Sequence, residues 1–217
     1  MNSSAIPLTH TGGFARTNAH VFEGPDGWIG VDAPDGTLDW LRRRGLRLGA
    51  LLLTHAHFDH VEEAARIRRE YGCPIFAWEV STPESRLEHF IESAVGMRMR
   101  IENYPVDVLL ADRTDVEVCG LPLRLAHVPG HSSDSVIFHD PAHARVFSGD
   151  TLMRGTVGRT DFPGGSEHLL LTGISRHLLT LPGETVVYPG HGESTSIAEA
   201  KQWFGQWFPS TADGHAR

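Results

Sequence analysis

Four metal-ligand side chains fall within six positions in His55-Ala56-His57-Phe58-Asp59-His60, directly after the apolar run Leu51-Leu52-Leu53. If the chain leaves that strand still extended, His55, His57 and Asp59 project to one side by the two-residue period. His60 then turns with the start of a helix. Neutral imidazoles and a carboxylate are the nitrogen and oxygen donors that zinc and iron accept. The plainer reading, solvated histidines with Asp59 as a helix cap, leaves so dense a cluster unexplained.

Three later segments repeat one grammar: an apolar strand, a glycine-containing tight turn, then His or Asp. They are Leu125 to His131 with Pro129-Gly130, Val146 to Asp150 with Ser148-Gly149, and Val186 to Gly192 with Pro189-Gly190-His191. Glycine permits the strained backbone and the close approach that a ligand at a strand end demands. Each segment alone reads as an ordinary surface turn. Together they give seven candidate ligands, His55, His57, Asp59, His60, His131, Asp150 and His191, all placed just after strands and so expected on one sheet edge.

Short apolar runs alternate with helical patterns, which predicts a layered α/β domain. Strands are expected at Ala19–Phe22, Trp28–Val31, Ala50–Leu53, Ile75–Ala77, Val116–Val118, Leu123–Val128, Ser135–Phe138, Val146–Phe147 and Thr185–Val187. Pro25-Asp26-Gly27 and Cys119-Gly120 read as hairpin turns. Helices are expected at Leu38–Arg44, Val61–Glu70, Pro83–Arg100, Glu167–Leu179 and Ile197–Trp207, the last presenting Trp203, Phe204, Trp207 and Phe208 as a packing face. Gly155 to Gly165 reads as an irregular loop of the same domain.

The 217 residues suit one domain, expected to span 1–217. No apolar run is long enough to span a bilayer, and no basic segment followed by an apolar stretch opens the chain, so cytoplasmic residence is expected. A formal net charge of −8 argues against a nucleic-acid partner. The arginines at 42–44 and 66–69 read as solvated helix faces, and Cys73 and Cys119 as buried, reduced thiols. His127 is expected to be structural. The other histidines, His20 among them, have no motif context.

The set HxHxDH, Pro-Gly-His, Ser-Gly-Asp and Pro-Gly-His-Gly, in this order from about Asn18 to His191, resembles the metallo-β-lactamase superfamily. The resemblance implies a four-layer αββα sandwich, two mixed sheets flanked by helices, with the site at one edge. It also implies that His55, His57 and His131 hold one metal, Asp59, His60 and His191 a second, and that Asp150 bridges them. Two divalent ions are expected, zinc first and iron or manganese as alternatives.

Gly158-Arg159-Thr160-Asp161-Phe162-Pro163-Gly164-Gly165 further resembles the glyoxalase II-like hydrolases. The implied reaction is hydrolysis of a hydroxyacyl thioester such as S-lactoylglutathione. Two adjacent ions can share a water and lower its pKa toward neutrality, with Asp59 and Asp150 as the catalytic carboxylates. The short chain after His191 has room only for the last helix, so the added helical domain of longer hydroxyacylglutathione hydrolases is not expected. With Lys201 the sole lysine, any basic contact to substrate would come from Arg154 or Arg159, the latter expected to pair with Asp161 and hold its loop against the site. Competing readings are an oxygenase resembling the persulfide dioxygenases, with a single iron on His55, His131 and Asp150, and a non-catalytic metal-binding module. Nuclease and β-lactamase work are disfavoured. Oligomeric state is not legible.

Overall fold

The computed structural model describes residues 6–96, 98 and 100–208. Its first sheet takes β1 (Leu8–Gly12), β2 (Thr17–Gly24), β3 (Gly27–Val31), β4 (Leu48–Leu52), β5 (Ile75–Ala77) and β6 (Val108–Leu109) in sequential order. The β1–β2–β3 pairs are antiparallel and the remainder parallel. The second sheet takes β7 (Asp115–Val118), β8 (Leu121–His127), β9 (Val136–Asp140), β10 (Arg145–Gly149), β13 (Val186–Pro189) and β14 (Thr195–Ser196), in the order 14-13-10-9-8-7. A small hairpin pairs β11 (Leu152–Met153) with β12 (Thr156–Val157) outside both sheets, and β12 falls at the start of the Gly155 to Gly165 segment expected to be irregular.

Side-chain alternation explains why several strands are apolar at every position. In β2, Val21 faces outward to helices and Phe22 inward to the opposing sheet. Leu51 and Leu52 of β4 divide the same way, as do Ile137 and Phe138 of β9, and Val146 and Phe147 of β10. A strand buried on both faces has no polar side to show. Three apolar layers result. The central one joins the sheets through Phe22, Ile29, Leu52, Phe138 and Phe147. On the outer face of the first sheet lie α1 (Thr37–Arg43), α2 (Phe58–Val61) and α3 (Ala64–Tyr71). On that of the second lie α5 (Glu167–Gly173) and α6 (Ile197–Trp207). The arrangement is a four-layer α/β/β/α sandwich.

Several expectations need correction. The helix expected at Val61–Glu70 is broken between α2 and α3, because Glu63 leaves helical backbone and turns its buried carboxylate to the amide of Leu38 at 2.7 Å. The helix expected at Pro83–Arg100 is shorter. Residues 83–87 form turns that end with Leu87 in left-handed backbone, and only α4 (Glu88–Val95) is helical before Gly96 stops it. Met97 and Met99 of that expected helix lie outside the described residues. The expected Glu167–Leu179 helix widens after Gly173 into a π turn at Ile174–Leu178. Strand β1 escapes sequence reading because it is a polar edge strand without an apolar run. Cys119 is half-buried rather than buried, at positive φ beside Gly120 in the two-residue loop between β7 and β8. Trp207 points to solvent, 70% exposed, while Phe204 enters the outer core.

The arginine-rich helix faces are laced with ion pairs. Arg42 bonds Asp39 and Glu70, Arg68 grips Asp107 with two bonds of 2.9 and 2.7 Å, and Arg69 reaches Glu102. No helix among the described residues is long and apolar enough to cross a membrane.

Candidate metal centre

Every expected donor follows the C-terminal end of a strand. His55, His57, Asp59 and His60 lie beyond β4 and into α2, His131 beyond β8, Asp150 beyond β10 and His191 beyond β13. Because β10 and β13 are parallel neighbours, their ends emerge side by side. The two sheets are tied at this edge by the amide of Asn18 donating to Gly190 O at 2.7 Å and by Val136 N donating to Thr54 O at 2.9 Å.

All seven side chains meet. Donor atoms of His55, His57 and His131 lie within 4.8 Å of one another. Those of Asp59, His60 and His191 form a second such group, and His55, His60 and Asp150 a third that links them. Asp150 is 3.5 Å from His131 Nε2, 3.4 Å from His60 Nε2 and 3.3 Å from His191 Nε2, so its carboxylate touches histidines of both groups. Asp59 Oδ2 is 3.4 Å from His191 Nε2 and accepts a 2.6 Å bond from Thr17 Oγ1.

Three buried Nε2 atoms, on His55, His60 and His131, have no hydrogen-bond partner, nor has Asp150 Oδ1. The opposite ring nitrogens explain this. His131 Nδ1 donates to the carbonyl of Arg159 at 2.8 Å and His60 Nδ1 to Asp32 Oδ2 at 2.8 Å. Thr54 gives its hydroxyl proton to Asp32, so it accepts from His55 Nδ1 at 3.0 Å. Each Nε2 therefore presents a lone pair to the centre of the cluster, as neutral imidazoles do when they ligate a cation. Orphaned buried acceptors facing one another are costly unless a cation joins them. The donor set fits a pair of divalent ions.

Charges divide in the same pattern. Burial, reinforced by His131, pushes His57 down to about 3, and burial with neighbouring histidines holds His55 well below its usual value. At His60 burial is opposed and outweighed by Asp59, Asp150 and Asp32, which raise it. Bonds to Asp150 and Asp59 likewise overcome burial to bring His191 up to about 10. Asp59 falls to about 2 despite burial, because His60 and His191 face it. In the ion-free site these carboxylates favour an extra proton on His60 and on His191; a cation bound there would take its place and leave the Nε2 lone pairs to ligate.

Glycine is required for space beside the donors. A Cβ on Gly190 would stand 2.2 Å from Asp150 Oδ1 and 2.5 Å from His60 Cε1.

Asp32 escaped sequence reading although it too follows a strand, β3, within Val31-Asp32-Ala33-Pro34. An acidic residue between a strand end and a proline was the available signal. Its Oδ1 also accepts from Thr54 N at 2.8 Å, and its backbone is left-handed at φ 61°. Asp32→Ala is expected to weaken divalent-ion affinity about 10- to 100-fold, read by competition with a chromophoric chelator; unchanged affinity would show that His60 needs no such support. His20 is buried, with Nε2 donating to Pro189 O at 2.9 Å, so it supports the turn before His191. His127 stands outside the cluster, bonded to Ser133 O and stacked on Trp78 at 4.2 Å.

The two arginines separate. Arg159 borders the cavity of about 490 Å³ in front of the donors. Its guanidinium is held by Asp161 in two bonds of 2.6 and 2.5 Å and lies 4.1 Å over the ring of Phe162. Arg154 does not border that cavity and pairs with Glu193.

Two sheets face to face with convergent histidine and carboxylate donors at one edge define a metal-binding α/β sandwich. The family model described as the metallo-beta-lactamase superfamily matches residues 12–191, and this chain belongs to that superfamily. It is 35% identical over 160 residues to the probable metallo-hydrolase YqgX of Bacillus subtilis, covering 73% of this chain and 75% of that protein. It is 30% identical over 212 residues to the hydroxyacylglutathione hydrolase GloC of Haemophilus influenzae, covering 93% and 96%. The structure of TTHA1623 in a di-iron-bound form superposes with a TM-score of 0.78 at 35% identity, covering 91% of this chain and 98% of that one.

Proposed function

We propose that the protein is a glyoxalase II-like thioester hydrolase working with two divalent ions, zinc first among them. One observation carries the reading: two donor triads share the Asp150 carboxylate and turn unpartnered Nε2 atoms toward a common point beside an open cavity. His55, His57 and His131 would hold one ion and Asp59, His60 and His191 the other, with Asp150 between them. Bound there, the ions would supply Lewis-acid polarisation of the carbonyl and a water acidified toward neutral pH. Asp59, fixed by Thr17, accepts a hydrogen bond from the attacking water and aligns it. That water gives up one proton to solvent and its oxygen adds to the carbonyl carbon. The tetrahedral adduct then collapses with cleavage of the C–S bond. The acid product loses its remaining proton to solvent, and the thiolate leaves to be protonated from solvent. The similarity to GloC over nearly the full length of both chains supports the thioester as the scissile bond.

Metal content measured together with hydrolysis of S-lactoylglutathione and a panel of simple thioesters and lactones tests this. The expected result is two ions per chain and thioester cleavage. Metal-loaded protein that cleaves none of the panel overturns the assignment. One iron per chain with oxygen uptake on glutathione persulfide would replace it by the oxygenase reading.

A further inference from the structure

The wall of the cavity beside the metal donors is apolar, and it comes from four stretches of chain. Phe14, at the tip of the β1–β2 hairpin, stacks on Phe58 at 5.6 Å with planes 9° apart. Leu87 and Ile91, at the start of α4 and one turn on, form a small apolar cluster with Phe58 that is separate from the three main cores, and Phe162 packs against it. All five border the cavity. Phe90 backs Phe162 edge to face at 5.2 Å. Phe14 is 60% exposed and Phe90 38%, so a hydrocarbon surface opens directly beside the reacting centre.

The charges at the rim point the same way. Arg159 is the only cationic arginine or lysine bordering the cavity among the described residues. Both faces of its charge are already engaged, by Asp161 and by the Phe162 ring. Lys201, on α6, donates to Leu181 O. Away from the metal donors, a substrate carboxylate lying against the apolar wall would lose water without meeting a free arginine or lysine.

Building on the thioesterase reading, we infer that the preferred substrate is an uncharged thioester carrying an apolar group, which packs against Phe14, Phe58, Leu87, Ile91 and Phe162. The thiol need not be a charged peptide. Selectivity then comes from hydrocarbon burial, and it grows with each methylene that reaches the wall.

The test uses zinc-loaded protein and straight-chain acyl thioesters of N-acetylcysteamine from acetyl to hexanoyl, each compared with the same acyl group on glutathione. kcat/KM is expected to rise about two- to fourfold per methylene and to be no higher for the glutathione series. Phe14→Ser, a change at an exposed ring, should flatten the chain-length slope. A flat slope in the unmodified protein, or glutathione thioesters favoured by tenfold or more, overturns the inference while the thioesterase assignment stands. If no thioester is cleaved, that assignment fails. Equilibrium binding of the matching uncleavable S-alkyl thioethers then decides the apolar site by itself: affinity rising with chain length upholds it, and constant or undetectable binding removes it.

Discussion

Replacing Asp150 by alanine is expected to reduce thioester hydrolysis about a thousandfold and to leave at most one ion per chain. The carboxylate lies within 3.5 Å of Nε2 on His60, His131 and His191, so its removal takes a donor from both triads at once. Metal polarisation contributes several kcal/mol to a hydrolytic transition state, and each 1.36 kcal/mol is tenfold in rate. Asp59→Ala makes the contrast, since Asp59 approaches only His60 and His191; that variant should keep an ion on His55, His57 and His131. Metal analysis and steady-state kinetics on the three proteins, with circular dichroism to verify folding, read both effects. Two retained ions with unaltered turnover in Asp150→Ala would remove Asp150 from the shared position.

The largest stability effect is expected at Phe147. This ring is fully buried between the two sheets, stacked on Phe22 at 4.8 Å with planes 10° apart and flanked by Tyr188 at 5.4 Å. Phe147→Ala removes a large side chain from the layer that binds the sheets together, and the surrounding rings cannot collapse into the space without separating from their strands. The expected cost is about 3–5 kcal/mol, against a total of about 5–15 kcal/mol for a typical domain. Urea denaturation in excess chelator measures it without a contribution from bound metal. A loss below about 1 kcal/mol would mean that the layer repacks around the gap.

What could be read from sequence was whatever a local pattern encodes. The donors were legible because each stands just past an apolar strand, and three of those strands end in glycine turns. Gly190 shows why: the turn leaves no room for a side chain beside Asp150 and His60. The double-faced strands were legible as unbroken apolar runs. Residues whose importance arises only from a partner far along the chain were not. Asp32 matters through His60 and Thr54, Thr17 through Asp59, and the Arg159 carbonyl, rather than its side chain, through His131. The apolar wall has the same origin, because Phe14, Leu87 and Phe162 share no segment. The helix at 83–100 was overextended because periodicity does not register the left-handed turn at Leu87.

Each sheet is woven from one uninterrupted half of the chain, the first from residues 8–109 and the second from 115–196. Four candidate donors belong to the first half and three to the second, so cations held there would clasp the halves across their open margin. Ion occupancy and the docking of one half on the other would thereby be linked. Whatever loosened the seam would then weaken the grip on the ions, and filling the centre would tighten the seam in equal measure.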